Sequence, residues 1–449
     1  MATNKIDDGS ISTLKLAKLQ QKYEADAKNT IIRHALSAST VNQVAKSLDR
    51  MNEVDYSFSL DIKTMPVTNQ KASGRCWIFA ACNVLREIIA KKCNMSNFEI
   101  SQNQIAFYDK LEKINFEMEA IIDLLGCEYD DRSLSCVMNN TIGDGGQWDM
   151  FVNIVKKYGI VPKNVKVETA TSSQTGGMNH LITVELRKFA AKANKLYKEK
   201  GIVAVRKAKD TLFNKFYNLL VSCYGIPVKE FDFEYVDKDN KYHLEKGFTP
   251  LTFFEKYIGK EIDDYVSIIN APTSDKKFGV TYTVQYLGNV WGGKVVTHLN
   301  LPMKRVKELI LKQLKDDQIV WFGSDVGFYR DRDSYKWDDK SYDYDSLFDL
   351  DFYCDKGDAL DYGVSAMNHA MCITGVNLVK GIPTKWKIEN SWGEEQAKKG
   401  YYLMSNTWFD QYVYQAVINK KYLSSTELQA LKKKPIVLKP WDPMGSLAD

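Results

Sequence analysis

Eight cysteines are scattered through 449 residues, and one of them stands in a chemically distinct place. Behind Cys76, the residues Ile78, Cys82, Leu85 and Ile89 follow one another at +4, +3 and +4, one face of a 3.6-residue period. Ser73 and Gly74 occupy the expected N-cap, so Cys76 falls in or near the first turn. Unpaired N–H groups and the positive end of the helix dipole favour negative charge there. With a neighbouring cation they bring a thiol from its ordinary pKa of about 8.5 down to about 3.5–7.5, and the thiolate is the nucleophilic form. Arg75 is expected to add to that field. No cysteine lies in a C-x-x-C pair or near a histidine at zinc-ligand spacing, so no disulfide framework and no metal site is expected. A reduced compartment, the cytoplasm, fits such cysteine usage.

The elements that must position this thiol follow from periodicity. Residues 12–50 carry apolar residues at mixed three- and four-residue spacings, which predicts helix. Pro66, Asn69 and Gly74 predict a loop leading into the Cys76 helix. Beyond the bend at Gly143, Gly145 and Gly146, the run QWDMFVNIVKKYG predicts a helix closing at Gly159 and Pro162. From 164 to about 262 the chain changes character, with a basic helical stretch and then an alternating FDFEYVDKDNKYHLEKGFTP that predicts a hairpin. After about 263 short strand-like runs dominate: VSIIN, VVTHL, IVWFGSDV, AMCITGVNLV, TKWKIENS and GYYLMS. A mainly helical part facing a mainly β part is an α+β arrangement.

Composition excludes other classes. An apolar fraction of 44% and a charged fraction of 26% are those of a globular protein. Sixty-one basic against fifty-seven acidic residues leave +4, too small a surplus to suggest a nucleic-acid partner, and the basic run Lys192–Lys209 reads as a solvated helix face. No apolar run approaches 18 residues and MATNKIDDGS has no apolar leader core, so neither membrane nor export is expected. Eleven aspartates between Asp331 and Asp361 never place a Gly sixth and a Glu twelfth in one register, so a solvated acidic loop is expected rather than a calcium site. No organic cofactor is implied.

The segment Gln70-Lys-Ala-Ser-Gly-Arg-Cys76-Trp77 resembles the active-site segment of papain-like cysteine peptidases. Asn368-His369-Ala370, Asn390-Ser391-Trp392-Gly393 and the pair Gly145-Gly146 match further family segments in the right order. The resemblance implies a catalytic trio of Cys76, His369 and Asn390. Gln70 would serve the oxyanion, Gly145 and Gly146 would bind substrate backbone, and Trp77 and Trp392 would support the site. Asn390 would hold the imidazole by accepting or donating at its second nitrogen, and Trp392 would shield that bond from water. The remaining histidines, His34, His180, His243 and His298, read as structural.

Secreted members of that family carry a disulfide where this chain has Ser73 and Gly143. That departure, and the tail from Pro435 through Trp441 to Asp449, resemble the bleomycin hydrolase and aminopeptidase C group. The resemblance implies an N-terminal helical extension over 1–65 and a helical half of the core over 66–163. A helical and hairpin insertion for oligomerisation would span 164–262, and a β half 263–420. A C-terminal helix and active-site arm would span 421–449. It further implies a cytoplasmic homohexamer acting on peptides with a free amino terminus. The arm, through either the Asp449 carboxylates or a trimmed Ala448 terminus, would read that amine and leave room for about one substrate residue, making the enzyme an aminopeptidase. Bleomycin-type amides would be further substrates. Without the arm in place, endopeptidase activity is the expectation; the alternative of another class is a nucleic-acid-binding scaffold, with the basic run Lys192–Lys209 lining a cavity.

Overall fold

The computed structural model describes residues 9–53 and 55–448, and the chain divides there into two units. The smaller takes the described part of Met1–Asp55 together with Asp339–Tyr353. Its helical stretch is broken at polar residues. Ser12, Asp26 and Thr40 accept the backbone N–H groups of Lys15, Lys28 and Gln43, so the helices Thr13–Glu24, Ala27–Ala38 and Val41–Ala45 each start afresh at a cap. In the aspartate-rich segment, Asp343, Asp345 and Asp351 accept the N–H groups of Ser346, Phe352 and Tyr353. Those carboxylates serve caps and turns.

The larger unit, the described part of Tyr56–Asp338 with Cys354–Asp449, is a mixed α+β fold built on a twelve-stranded, largely antiparallel sheet. Across its middle lie Tyr265–Ile269, Val413–Asn419, Val320–Ser324, His369–Val379, Ile382–Glu389 and Tyr401–Ser405, in that order. Every residue of Tyr265–Ile269 and Val320–Ser324 is buried, which is why VSIIN and IVWFG are continuous apolar runs rather than alternations. The helix Met303–Lys315 turns Val306, Leu309, Ile310 and Leu314 inward, against Val413–Asn419 and Val320–Ser324.

The helical side comprises Cys76–Cys93, Gln102–Asp123, Trp148–Tyr158 and the long segment Gly176–Tyr224. That segment is two helices rather than one, because Gly201 adopts φ 73° and ψ −176°, outside the helical region and open to glycine. Strands Phe231–Val236 and Tyr242–Phe248 pair antiparallel, and Phe233 turns inward against Phe98 and Phe253. The Cys76–Cys93 helix packs directly on the strand His369–Val379, and Cys372 donates its S–H to Ala80 O at 3.3 Å. Helix start and strand start therefore meet.

Candidate active site

Cys76 is the first residue of its helix and is fully buried. The cap is Arg75, not Ser73 or Gly74, and its side chain does not cap the first turn. Gly74 is held outside the helix because its N–H donates to Asp144 Oδ2 at 3.0 Å. Arg75 is held by partners of its own. Its guanidinium donates to Glu168 Oε2 at 2.9 Å and to Ser73 Oγ at 2.9 Å, so its charge is met elsewhere. What does approach the sulfur is the strand: Ala370 N–H donates to Cys76 Sγ at 3.4 Å. A backbone N–H thus meets a sulfur that sits at a helix start, an arrangement that favours a thiolate. Burial pushes the thiols of Cys82 and Cys372 the other way, well above their ordinary value.

The antiparallel register sets the next contact. Cys372 lies opposite Glu389, so the start of one strand and the residue after the other lie at the same end of the sheet. There His369 Nε2 lies 2.9 Å from Asn390 Oδ1. The same oxygen accepts the N–H of Ser391 at 2.8 Å, so it is an acceptor, and His369 must donate. The proton therefore sits on Nε2 and Nδ1 keeps its lone pair. Trp392 covers the ring, with centroids 5.0 Å apart, and Arg330 lies over Trp392 at 4.1 Å. Burial lowers the His369 pKa to about 4, the bond to Asn390 opposes it, and Arg330 adds to the fall.

Gln70 is tied into the same corner. Its N–H donates to Ser391 O at 2.8 Å, and its Oε1 accepts from Ser391 Oγ at 2.5 Å. Nε2 donates one hydrogen to Ser73 O at 2.6 Å, which leaves the second N–H of the amide. The carboxamide is fixed at two points, and the Gln70 backbone at a third, beside the helix start.

Gly145 and Gly146 meet the helix through Trp77. Its Nε1 donates to Asp144 O at 2.7 Å, and the indole lies so near Gly146 that a Cβ there would sit 2.4 Å from a ring carbon. Only glycine fits. Asp144, which sequence reasoning passed over, organises this loop. Its carboxylate accepts from Lys110 and Asn179 at 2.8 Å each, from Gly74 N–H and from the Thr175 hydroxyl. Burial alone would raise its pKa, but Lys110 and the hydrogen bonds hold the carboxyl well below the usual range. Asp144 thereby joins the 73–76 and 143–146 loops, the two that a disulfide joins in secreted papain-like enzymes. The one available signal was its place between two glycines.

The tail reaches this loop. Gly146 N–H donates to Ala448 O at 3.1 Å and Ala448 N–H donates to Gly146 O at 3.3 Å, an antiparallel bridge. Gln147 Nε2 donates to Ser446 O at 2.6 Å, and Ala448 is fully buried. Upstream, Ile436–Leu438 adds to the sheet beside Thr281–Val284, Asp442 pairs with buried Lys276 at 2.9 Å, and Trp441 lies under Arg132 at 3.9 Å. Asp449 lies outside the described residues.

The model of the Peptidase C1-like family matches residues 10–445. The chain belongs to that family. It is 45% identical over 422 residues to an aminopeptidase C from Lactobacillus delbrueckii subsp. lactis, covering 93% of this chain and 94% of that protein. An aminopeptidase C from Streptococcus thermophilus is 45% identical over 444 residues, 98% of this chain and 99% of that one. Among solved structures, pepw from Lactobacillus rhamnosis HN001 superposes with a TM-score of 0.95 at 44% identity, covering 98% of this chain and 100% of the other. With relatives of this closeness over nearly their whole length, the chain is a cysteine aminopeptidase, a hydrolase of peptides. Among the described residues no helix is long and apolar enough to cross a membrane.

Proposed function

We propose that the protein is a cytoplasmic thiol aminopeptidase that removes one N-terminal residue at a time through an acyl-enzyme on Cys76. The Cys76 S–H proton passes to Nδ1 of His369, which the Asn390 bond leaves bare. The opposite charges then stabilise each other, offsetting the burial that lowers the imidazole's pKa. The sulfur attacks the scissile carbonyl carbon, and the C=O electron pair moves to oxygen. The second N–H of Gln70 and the Cys76 backbone N–H take up that negative charge, one such donor being worth roughly 3–4 kcal/mol. Collapse breaks the C–N bond, and His369 gives its proton to the leaving amine. Water, deprotonated by His369, then cleaves the thioester and releases the first residue.

The observation that carries the exopeptidase reading is the Gly146–Ala448 bridge. The glycine backbone that would pair with an extended substrate is already paired with the arm, so an internal peptide segment has nowhere to lie. A carboxylate at Asp449, next to Ala448, would meet the ammonium of a free amino terminus in a charge-assisted bond. Amides of bleomycin type with an unblocked amine fit the same space. A homohexamer completes the reading, supported by apolar residues left exposed on Gly176–Tyr224, among them Val203 at 79%.

Deleting Ser446–Asp449 tests this. The truncated enzyme is expected to lose activity on aminoacyl substrates and to cleave N-acetylated peptides that the full chain ignores; unchanged specificity contradicts the arm's role.

A further inference from the structure

A cavity of about 770 Å³ lies behind the arm. Helix Gln102–Asp123 forms one wall, with Phe116 and Glu117, and the arm from Pro440 to Leu447 forms another. It borders Gly143 and Gly145 but neither Cys76 nor His369, so it stands apart from the proposed reacting atoms. Much of its lining is apolar, from Val137, Met150, Leu287, Trp441 and Leu447.

One polar side chain on its walls is unspent. Glu117 is 7% exposed, and its Oε1 has no hydrogen-bond partner among the described residues. The cations that share the cavity are engaged elsewhere. Lys113 pairs with Asp109 at 2.8 Å and donates to Gly145 O at 2.6 Å, and Arg187 donates to Met138 O at 2.9 Å. Asp442 is taken by Lys276, and Cys136 and Tyr286 complete the titratable groups of the lining.

A buried carboxyl with no partner carries a desolvation cost that a hydrogen-bonded cation removes. We propose that this cavity is a binding site for a small organic amine with an apolar body, its ammonium on Glu117. Burial, with nothing to oppose it, pushes the Glu117 carboxyl up to about 8, so the empty site is mostly uncharged and gives up its proton as the cation enters. Because the arm forms one wall, an occupant braces the arm against the glycine loop.

The test is isothermal titration of the full-length protein with tyramine and with para-ethylphenol, which has the same body without the amine. Tyramine is expected to bind, and para-ethylphenol to bind roughly tenfold to a hundredfold more weakly, the worth of one charge-assisted bond. Glu117→Gln, which keeps the shape of the neutral carboxyl, should weaken tyramine by the same factor. Thr183→Trp, which fills the cavity from the opposite wall, should abolish binding of both compounds. No heat with tyramine overturns the proposal, as does equal affinity for the two probes or tyramine binding that survives both substitutions. Hydrolysis of unblocked peptides is read separately, so failure here leaves the aminopeptidase reading untouched.

Discussion

Gly146 and Ala448 exchange both backbone hydrogen bonds, at 3.1 and 3.3 Å, although 302 positions separate them in the chain. The bridge exists because Gly146 has no side chain. Trp77 fills the space a Cβ would need, and its indole cannot retreat while Nε1 is bonded to Asp144 O. Gly146→Ala should therefore shift the loop and release the arm. The expected result is a destabilisation of about 1–3 kcal/mol, seen by urea denaturation, with newly acquired cleavage of N-blocked peptides.

Gln70 is anchored on both sides, by Ser391 Oγ and Ser73 O, so its remaining N–H has a fixed direction. Gln70→Ala should lower kcat roughly 10²–10³-fold, as for loss of one oxyanion donor, with little change in KM. A change confined to KM would place Gln70 in substrate binding instead.

Asp144 and Lys110 form a buried pair at 2.8 Å. Asp144→Asn keeps the shape but leaves the ammonium without its counter-charge, and breaking such a pair costs about 3–5 kcal/mol. Denaturant midpoints should fall accordingly, and activity should fall with them, because the same carboxylate fixes Gly74 ahead of Cys76. Asn in place with wild-type stability would show that the loops are held by other means.

His298 is buried, its Nδ1 2.7 Å from Ser267 Oγ and its Nε2 without a partner among the described residues. Burial lowers its pKa to about 4, below the ordinary 6.5. The folded state thus binds fewer protons than the unfolded one, so the stability is fully present above about pH 6.5 and is lost as pH falls toward 4. The loss amounts to about 3 kcal/mol at about 1.4 kcal/mol per unit. His369, lowered in the same direction, adds a similar slope. Stability measured against pH should fall less steeply for His298→Gln than for wild type; parallel curves would contradict the assignment.

The helix of Cys76 was legible because its apolar residues repeat at helical spacing, and the thiol, imidazole and carboxamide each stood inside a dense local motif. The alternation of FDFEYV and its partner likewise marked strands. What could not be read depended on residues far apart in the chain. Arg75 became the cap only because Asp144, in another loop, takes the N–H of Gly74. Arg330 reaches Trp392 from a two-residue strand with no pattern of its own. The break at Gly201 was hidden because helical periodicity continues on both sides of it. Glu117 lies on Gln102–Asp123, a helix that sequence reasoning passed over, and its burial comes from residues distant in the chain.

Product analysis tests the central claim most directly. A decapeptide with a free amino terminus, its N-acetylated twin and the Cys76→Ala protein suffice, with products followed by mass spectrometry over time. The account predicts single amino acids released in order from the free peptide, an untouched acetylated peptide, and no cleavage by Cys76→Ala. Internal fragments produced by the full-length chain, or any release by Cys76→Ala, would contradict it.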